Sequence, residues 1–275
     1  MILFLSLALA MADPAPPEPA TEVQRPSTIS LSEAGRAIGA GRLDQAKTIL
    51  AAAIAAGAKG EPVDRLLADL ALARGEYSQA LAAYRQLIAE HPNELLLLER
   101  GGIAALRLGQ LDEATSLLDR ATIQPGAGWR AWNARGVVAD RQARWDEADA
   151  AYARAATLDP NRAEVANNQG WSQMLRGNWQ EALDAFERAA ALDPKLPKLL
   201  NNLELARAAL GAELPVRMQG ESDDAFAARL NDSGVVAAAA GQTKRAEAAF
   251  AQALEVRSHW YRRAADNLAA LGGPK

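Results

Sequence analysis

The sequence predicts an all-α protein built as a stack of helical hairpins. Three observations predict it. Alanine, the residue of highest helix propensity, occurs 64 times in 275 residues, while strand-favouring residues are sparse and aromatics make up only 5%. A pattern of small and large apolar residues recurs every 34 residues. Inside each period the apolar positions have helical spacing, four then three, and not the alternation of a strand. Composition also narrows function. The absence of Cys excludes disulfides, thiolate zinc sites, iron–sulfur clusters and a cysteine nucleophile. Two histidines, His91 and His259, are too few for a multi-histidine metal site. With 34 acidic against 30 basic residues, net −4, the chain lacks the basic footprint of a nucleic-acid binder.

The elements follow in chain order. Ile2 to Met11 is an apolar run too short to span a bilayer, which takes about 20 residues. It leads into the small-x-small box Ala10-Met11-Ala12. Residues 1–12 therefore read as a secretory signal peptide cleaved after Ala12, although no Lys or Arg precedes the run. Residues 13–26 hold five of the thirteen prolines and read as an extended tether. Export to the periplasm or the medium is the expected location, and the cytoplasm is the alternative if the signal is spurious. No transmembrane segment is expected in the mature chain.

From residue 27 the 34-residue period runs through 27–60, 61–94, 95–128, 129–162 and 163–196 without a slip. Small residues stand at Ala34, Ala68, Gly102, Gly136, Gly170 and, after an interruption, Gly234. They let the first helix of each unit, helix A, approach the second, helix B. Gly41, Gly75, Gly109, Gly177 and Gly241 end helix A, because glycine tolerates the left-handed cap conformation; Ala143 takes that place in one unit. In helix B, an Ala is followed by Leu50, Tyr84, Leu118, Tyr152, Phe186 or Phe250, and then by another small or apolar residue on the same face. Residues 197–210 read as one further helix A, completing an array over 27–210. Residues 211–226, with Gly211, Pro215 and Gly220, read as an irregular loop. A last unit and a solvating cap helix fill 227–275.

This pattern resembles the tetratricopeptide repeat, a helix–turn–helix of 34 residues. The repeated tail Leu158-Asp159-Pro160 and Leu192-Asp193-Pro194 strengthens the likeness. The resemblance implies a right-handed superhelical solenoid that binds other proteins. The lysine–asparagine arrangement by which some members clamp a C-terminal carboxylate is absent: Asn168 matches one of its asparagines, and no lysine matches. Trp132-Asn133, Gly136-Val137, Asn167-Asn168 and Asn201-Asn202-Leu203 also resemble the repeat protein of the bacterial tight-adherence (Flp) pilus system, the TadD type. That likeness implies a periplasmic lipoprotein that helps an outer-membrane secretin assemble, with partners among secretin or pilus-assembly components. This chain carries no Cys for the lipid anchor.

Catalytic machinery has no candidate. Gly39-Ala40-Gly41 and Gly126-Ala127-Gly128 lack the Lys-Ser/Thr of a phosphate loop. The carboxylate pairs Asp112-Glu113 and Asp146-Glu147 open B helices, where negative charge favours the helix dipole. A non-enzymatic scaffold without cofactor, metal or small-molecule substrate is therefore expected, with the A helices lining a concave groove. The residues expected there as a protein-binding site are Arg100, Arg130, Asn133, Asn167, Asn168, Trp171, Asn201 and Asn202. Asn133, Asn167 and Asn201 are spaced 34 apart, as a ladder of amides offered to a peptide backbone or as a feature of repeat packing. Trp171 reads as an aromatic anchor, or as packing between repeats. Two other functional readings stay open: a cytoplasmic adaptor, and a repeat module of envelope polysaccharide or cell-wall machinery.

Overall fold

In the computed structural model, residues 26–256 and 261–272 are described. The signal-peptide reading of 1–12 and nearly all of the tether reading lie outside them, although Pro26 itself opens the first helix. Proline is well placed there, because the first N–H of a helix has no partner within it. All regular structure among the described residues is α-helical.

Contacts divide the chain into two compact units at Leu66. The first contains α1 (Pro26–Gly39), α2 (Leu43–Ala55) and the start of α3 (Glu61–Ala73). Ala34 and Ala37 of α1 and Ala46, Leu50 and Ala53 of α2 are its buried apolar residues, together with Val63.

The second unit continues α3 and adds α4 (Tyr77–Glu90), α5 (Leu95–Arg107), α6 (Leu111–Thr122), α7 (Trp129–Arg141), α8 (Trp145–Leu158), α9 (Ala163–Leu175) and α10 (Trp179–Leu192). Then come α11 (Leu199–Ala209), α12 (Asp223–Ala239), α13 (Thr243–Val256) and α14 (Arg262–Leu271). Along this unit an A helix packs on its own B helix and on the next A helix: α5 meets α6 and α7, and α7 meets α8 and α9. Within a hairpin the small position faces the large one. A methyl group added at Gly102, Gly136, Gly170 or Gly234 would stand 2.5–2.7 Å from Leu118, Tyr152, Phe186 or Phe250 respectively. That is closer than carbon atoms approach, so these glycines set the distance between the two helices.

The A helices end alike. Arg144 N–H bonds the Ala139 carbonyl while Ala143 N–H bonds that of Asp140, closing a Schellman motif. The same pair of bonds closes α9 at Gly177 and α11 at Gly211. Gly177 and Gly211 have φ of 77° and 83°, whereas Ala143 is held at φ 55° with a Cβ in the way. Ala143→Gly should therefore stabilise the protein by about 0.5–1 kcal/mol, the strain relieved less the extra entropy of an unfolded glycine. Thermal unfolding checks this, and an unchanged or lower melting temperature would count against strain at the turn.

After α11 the chain does not form a B helix. Residues 212–218 run without regular structure and reach α12 through the turn at Gly220. Asn267 on α14 donates to Asn231 on α12 at 2.8 Å, the kind of bond that also joins the A helices α7 and α9. The last helix is thus docked as a further A helix would be. No helix among the described residues is long and apolar enough to cross a membrane.

Candidate functional site

A half-open groove of about 460 Å³ is formed by three consecutive A helices, α5, α7 and α9, and the loop after α10. Helix periodicity explains why they share it. Ile103 and Val137 are 34 residues apart, so each presents the same face from successive repeats. Arg107 and Arg141 follow each of them by one helical turn. The groove floor is apolar, and Asn133, Asn167 and Asn168 add amides to its wall. Leu196 and Pro197 close one side, and Trp129 stands at the first residue of α7. The Arg130 and Arg162 guanidinium groups lie 4.8 and 5.0 Å from the Trp129 ring centre, within cation–π range.

The predicted residues separate into two groups. Arg130, Asn133, Asn167 and Asn168 line the groove together. Arg100, Trp171, Asn201 and Asn202 are not part of its lining. Arg100 turns to Asp69, donating to both carboxylate oxygens at 2.6 Å, and Asp69 also accepts the Tyr84 hydroxyl at 2.7 Å. Trp171 remains 37% exposed and meets Phe186 of its own repeat edge to face, with ring centres 6.2 Å apart. Asn202 is buried. With its amide oxygen turned to the indole, it accepts the Trp171 N–H at 3.1 Å. Asn201 is half-buried on α11.

The asparagines join neighbouring repeats. Asn168 on α9 donates to Asn133 on α7 at 3.0 Å, and the amides of Asn202 and Asn167 meet at 2.7 Å. Each pair links adjacent A helices at a spacing of 35 residues, one more than the sequence ladder. An amide has four hydrogen-bonding positions, so these contacts leave Asn133, Asn167 and Asn168 further capacity toward the groove.

Two carboxylates on the inner faces of A helices are buried instead of open to the groove. Asp140, 8% exposed, accepts the Tyr152 hydroxyl at 2.7 Å and the Ser172 hydroxyl at 2.6 Å, tying α7 to α8 and α9. Burial raises its carboxyl above the usual range, against those two hydrogen bonds. Burial likewise raises Glu99 on α5, against the pull of Arg130, Arg100 and the Ala131 N–H. A carboxyl whose folded pKa lies above its unfolded one stabilises most below the unfolded value, and that contribution is lost as pH rises through the folded value. Glu99→Gln keeps an oxygen for the Ala131 N–H and removes the charge. Its melting temperature relative to wild type should be highest near pH 7 and fall as pH is lowered into the carboxylate range. A difference independent of pH would show that burial does not disfavour the Glu99 charge.

Trp129, Leu196 and Pro197 were not legible as groove residues. They stand at a helix start and in a loop, outside the inner face of any A helix. The available signal was the break Gly126-Ala127-Gly128 followed at once by a tryptophan beside Arg130.

Sequence comparison finds the tetratricopeptide repeat at residues 31–94, 65–129, 100–162 and 163–196. No protein of curated function matches the chain. Among solved structures, a thermophilic tetratricopeptide-repeat protein of Thermus thermophilus is 22% identical, with a TM-score of 0.56 over 66% of this chain and 98% of that one. A tetratricopeptide-repeat protein from Parabacteroides merdae is 15% identical, with a TM-score of 0.54 over 90% and 99%. PilW, described as a widely conserved type IV pilus biogenesis factor, is 18% identical, with a TM-score of 0.57 over 88% and 98%. At these identities the likeness concerns the fold. Contacts of glycine with a large side chain, spaced 34 residues apart at Gly102, Gly136 and Gly170, and matches that span more than half of the sequence, place this chain in the tetratricopeptide-repeat family of all-α solenoids.

Proposed function

We propose that this chain is a non-enzymatic scaffold of the bacterial cell envelope that holds a protein partner in the groove of α5, α7 and α9. The groove carries the reading. It combines an apolar floor, amides with bonding capacity left over and cationic rims, the mixture that recognises a peptide by its side chains and backbone together. Envelope assembly, such as pilus or secretin biogenesis, is supported by the signal-like residues 1–12 and by the shared fold with the pilus biogenesis factor PilW.

The test is a photo-crosslinking amino acid placed at Val137 in the groove, with Arg154 on the outer face of α8 as the control site, in the native host. An envelope protein, a secretin or pilus-assembly component, should be captured from Val137 and not from Arg154. N-terminal sequencing of the same purified chain should find it beginning at Asp13. Capture from Arg154 alone would overturn the groove reading. Capture of cytoplasmic proteins by an uncleaved chain would replace the envelope scaffold with a cytoplasmic adaptor.

A further inference from the structure

We infer that the groove selects an acidic, extended segment of its partner, with apolar side chains seated between the carboxylates; this rests on the groove reading above. The chain as a whole carries net charge −4, yet the groove lining holds Arg107, Arg130 and Arg141 against the single carboxylate of Glu164. Among the described residues, none of these three arginines forms an ion pair. The contrast with other arginines is informative. Arg100 is engaged by Asp69, Arg135 by Asp119 and Arg176 by Asp149, each at 2.6–2.7 Å. Each of those is matched by a carboxylate of a neighbouring helix, whereas Arg107 and Arg141 are exposed and unpaired, and Arg130, also exposed, lies over the Trp129 ring with only the field of the buried Glu99 acting on it.

Their placement gives the segment its order. Arg107 and Arg141 occupy the same position at the ends of α5 and α7, on one rim. Arg130 lies at the start of α7, on the opposite rim, where its guanidinium is steadied by the Trp129 ring. Ile103 and Val137 run between the rims. An extended strand turns successive side chains to opposite sides, at about 3.3 Å per residue. Carboxylates can therefore reach the rims while an apolar side chain sits on the floor and the backbone meets the Asn133 and Asn168 amides. Arginine suits such a site because its planar fork takes both oxygens of a carboxylate. A basic segment would meet three like charges, with Glu164 on the lining and the buried Glu99 behind Arg130 in compensation.

A dodecapeptide display library selected on the full chain tests this, with Arg107→Glu/Arg141→Glu as a parallel target. Both arginines are exposed and unpaired among the described residues, so the variant should keep its circular dichroism and melting temperature. The expected result is enrichment of sequences alternating Asp or Glu with apolar residues, binding the variant at least tenfold more weakly and weakening as salt is raised. Selected peptides should also suppress crosslinking from Val137. Neutral or basic sequences that suppress the Val137 crosslink, or acidic ones that bind the variant equally well, would overturn the acidic preference and leave the groove reading standing. Peptides that bind without affecting that crosslink, or a failure to enrich any sequence, would overturn both.

Discussion

Gly170→Leu is expected to destabilise the protein by about 3 kcal/mol, the upper part of the usual range for overpacking a core. A bare methyl group at this position would already lie 2.5 Å from two carbons of the Phe186 ring. The ring has little room to retreat. It is fully buried, and it packs with Ala166, Met174, Ala182, Ala189, Leu199 and Leu203 as well as against the edge of Trp171. Leucine must therefore force α9 and α10 apart. Contacts in a repeat array are nearest-neighbour, so the loss should be local. Hydrogen exchange should accelerate in α9, α10 and α11 well before α4 and α5. Gly39→Ala is the control, because a methyl group there meets nothing within 4 Å. It should be neutral or slightly stabilising, as alanine is the better helix former. A Gly170→Leu protein that melts like wild type would mean that the two helices are not in contact at this pair.

Arg229→Met should cost about 3 kcal/mol as well, through a different mechanism. Arg229 on α12 is only 12% exposed and donates to two carboxylates: Glu204 on α11, at 2.6 and 3.0 Å, and Glu221 at the end of the irregular segment, at 2.7 and 2.6 Å. It also reaches the Val216 carbonyl at 3.3 Å. One guanidinium thus binds the segment that replaces a B helix to the helices on either side of it. Burial works against the Glu221 charge, but the Met218 N–H and the Arg229 guanidinium together hold its carboxyl below the usual range. Removing the arginine leaves two carboxylates facing each other with Glu221 6% exposed, and an uncompensated buried charge is the costly outcome. Besides a lower melting temperature, limited proteolysis should cut near Val216, which is already exposed. The triple change Arg229→Met/Glu204→Gln/Glu221→Gln should recover much of the loss. A single variant as stable and as protease-resistant as wild type would show that other contacts hold the segment.

The sequence by itself determined the helices, their pairing into hairpins and the small residues that let the two helices of a hairpin approach; the structure supplied the large side chain that each glycine meets. Helices and hairpins depend on short-range periodicity, which 34-residue repetition states several times over: Gly136 against Tyr152 and Gly170 against Phe186 are the same contact one period apart. An interruption after α11 is legible in Gly211, Pro215 and Gly220, but the sequence reading carries it to residue 226, whereas α12 already begins at Asp223 because Ser222 caps it by accepting the Ala225 N–H. Tertiary structure alone decided which polar side chains remain available to a partner. Asn167 and Asp140 both stand on the inner faces of A helices, yet one lines the groove and the other is buried under two hydroxyls. Arg100 and Arg107 stand two turns apart on α5, yet of the two it is Arg100 that meets a carboxylate, Asp69. Position on a helix face gives the direction of a side chain. Whether it is paired depends on residues about 30 positions away on a neighbouring helix, and the pairing is set by side-chain chemistry that a repeat pattern does not specify.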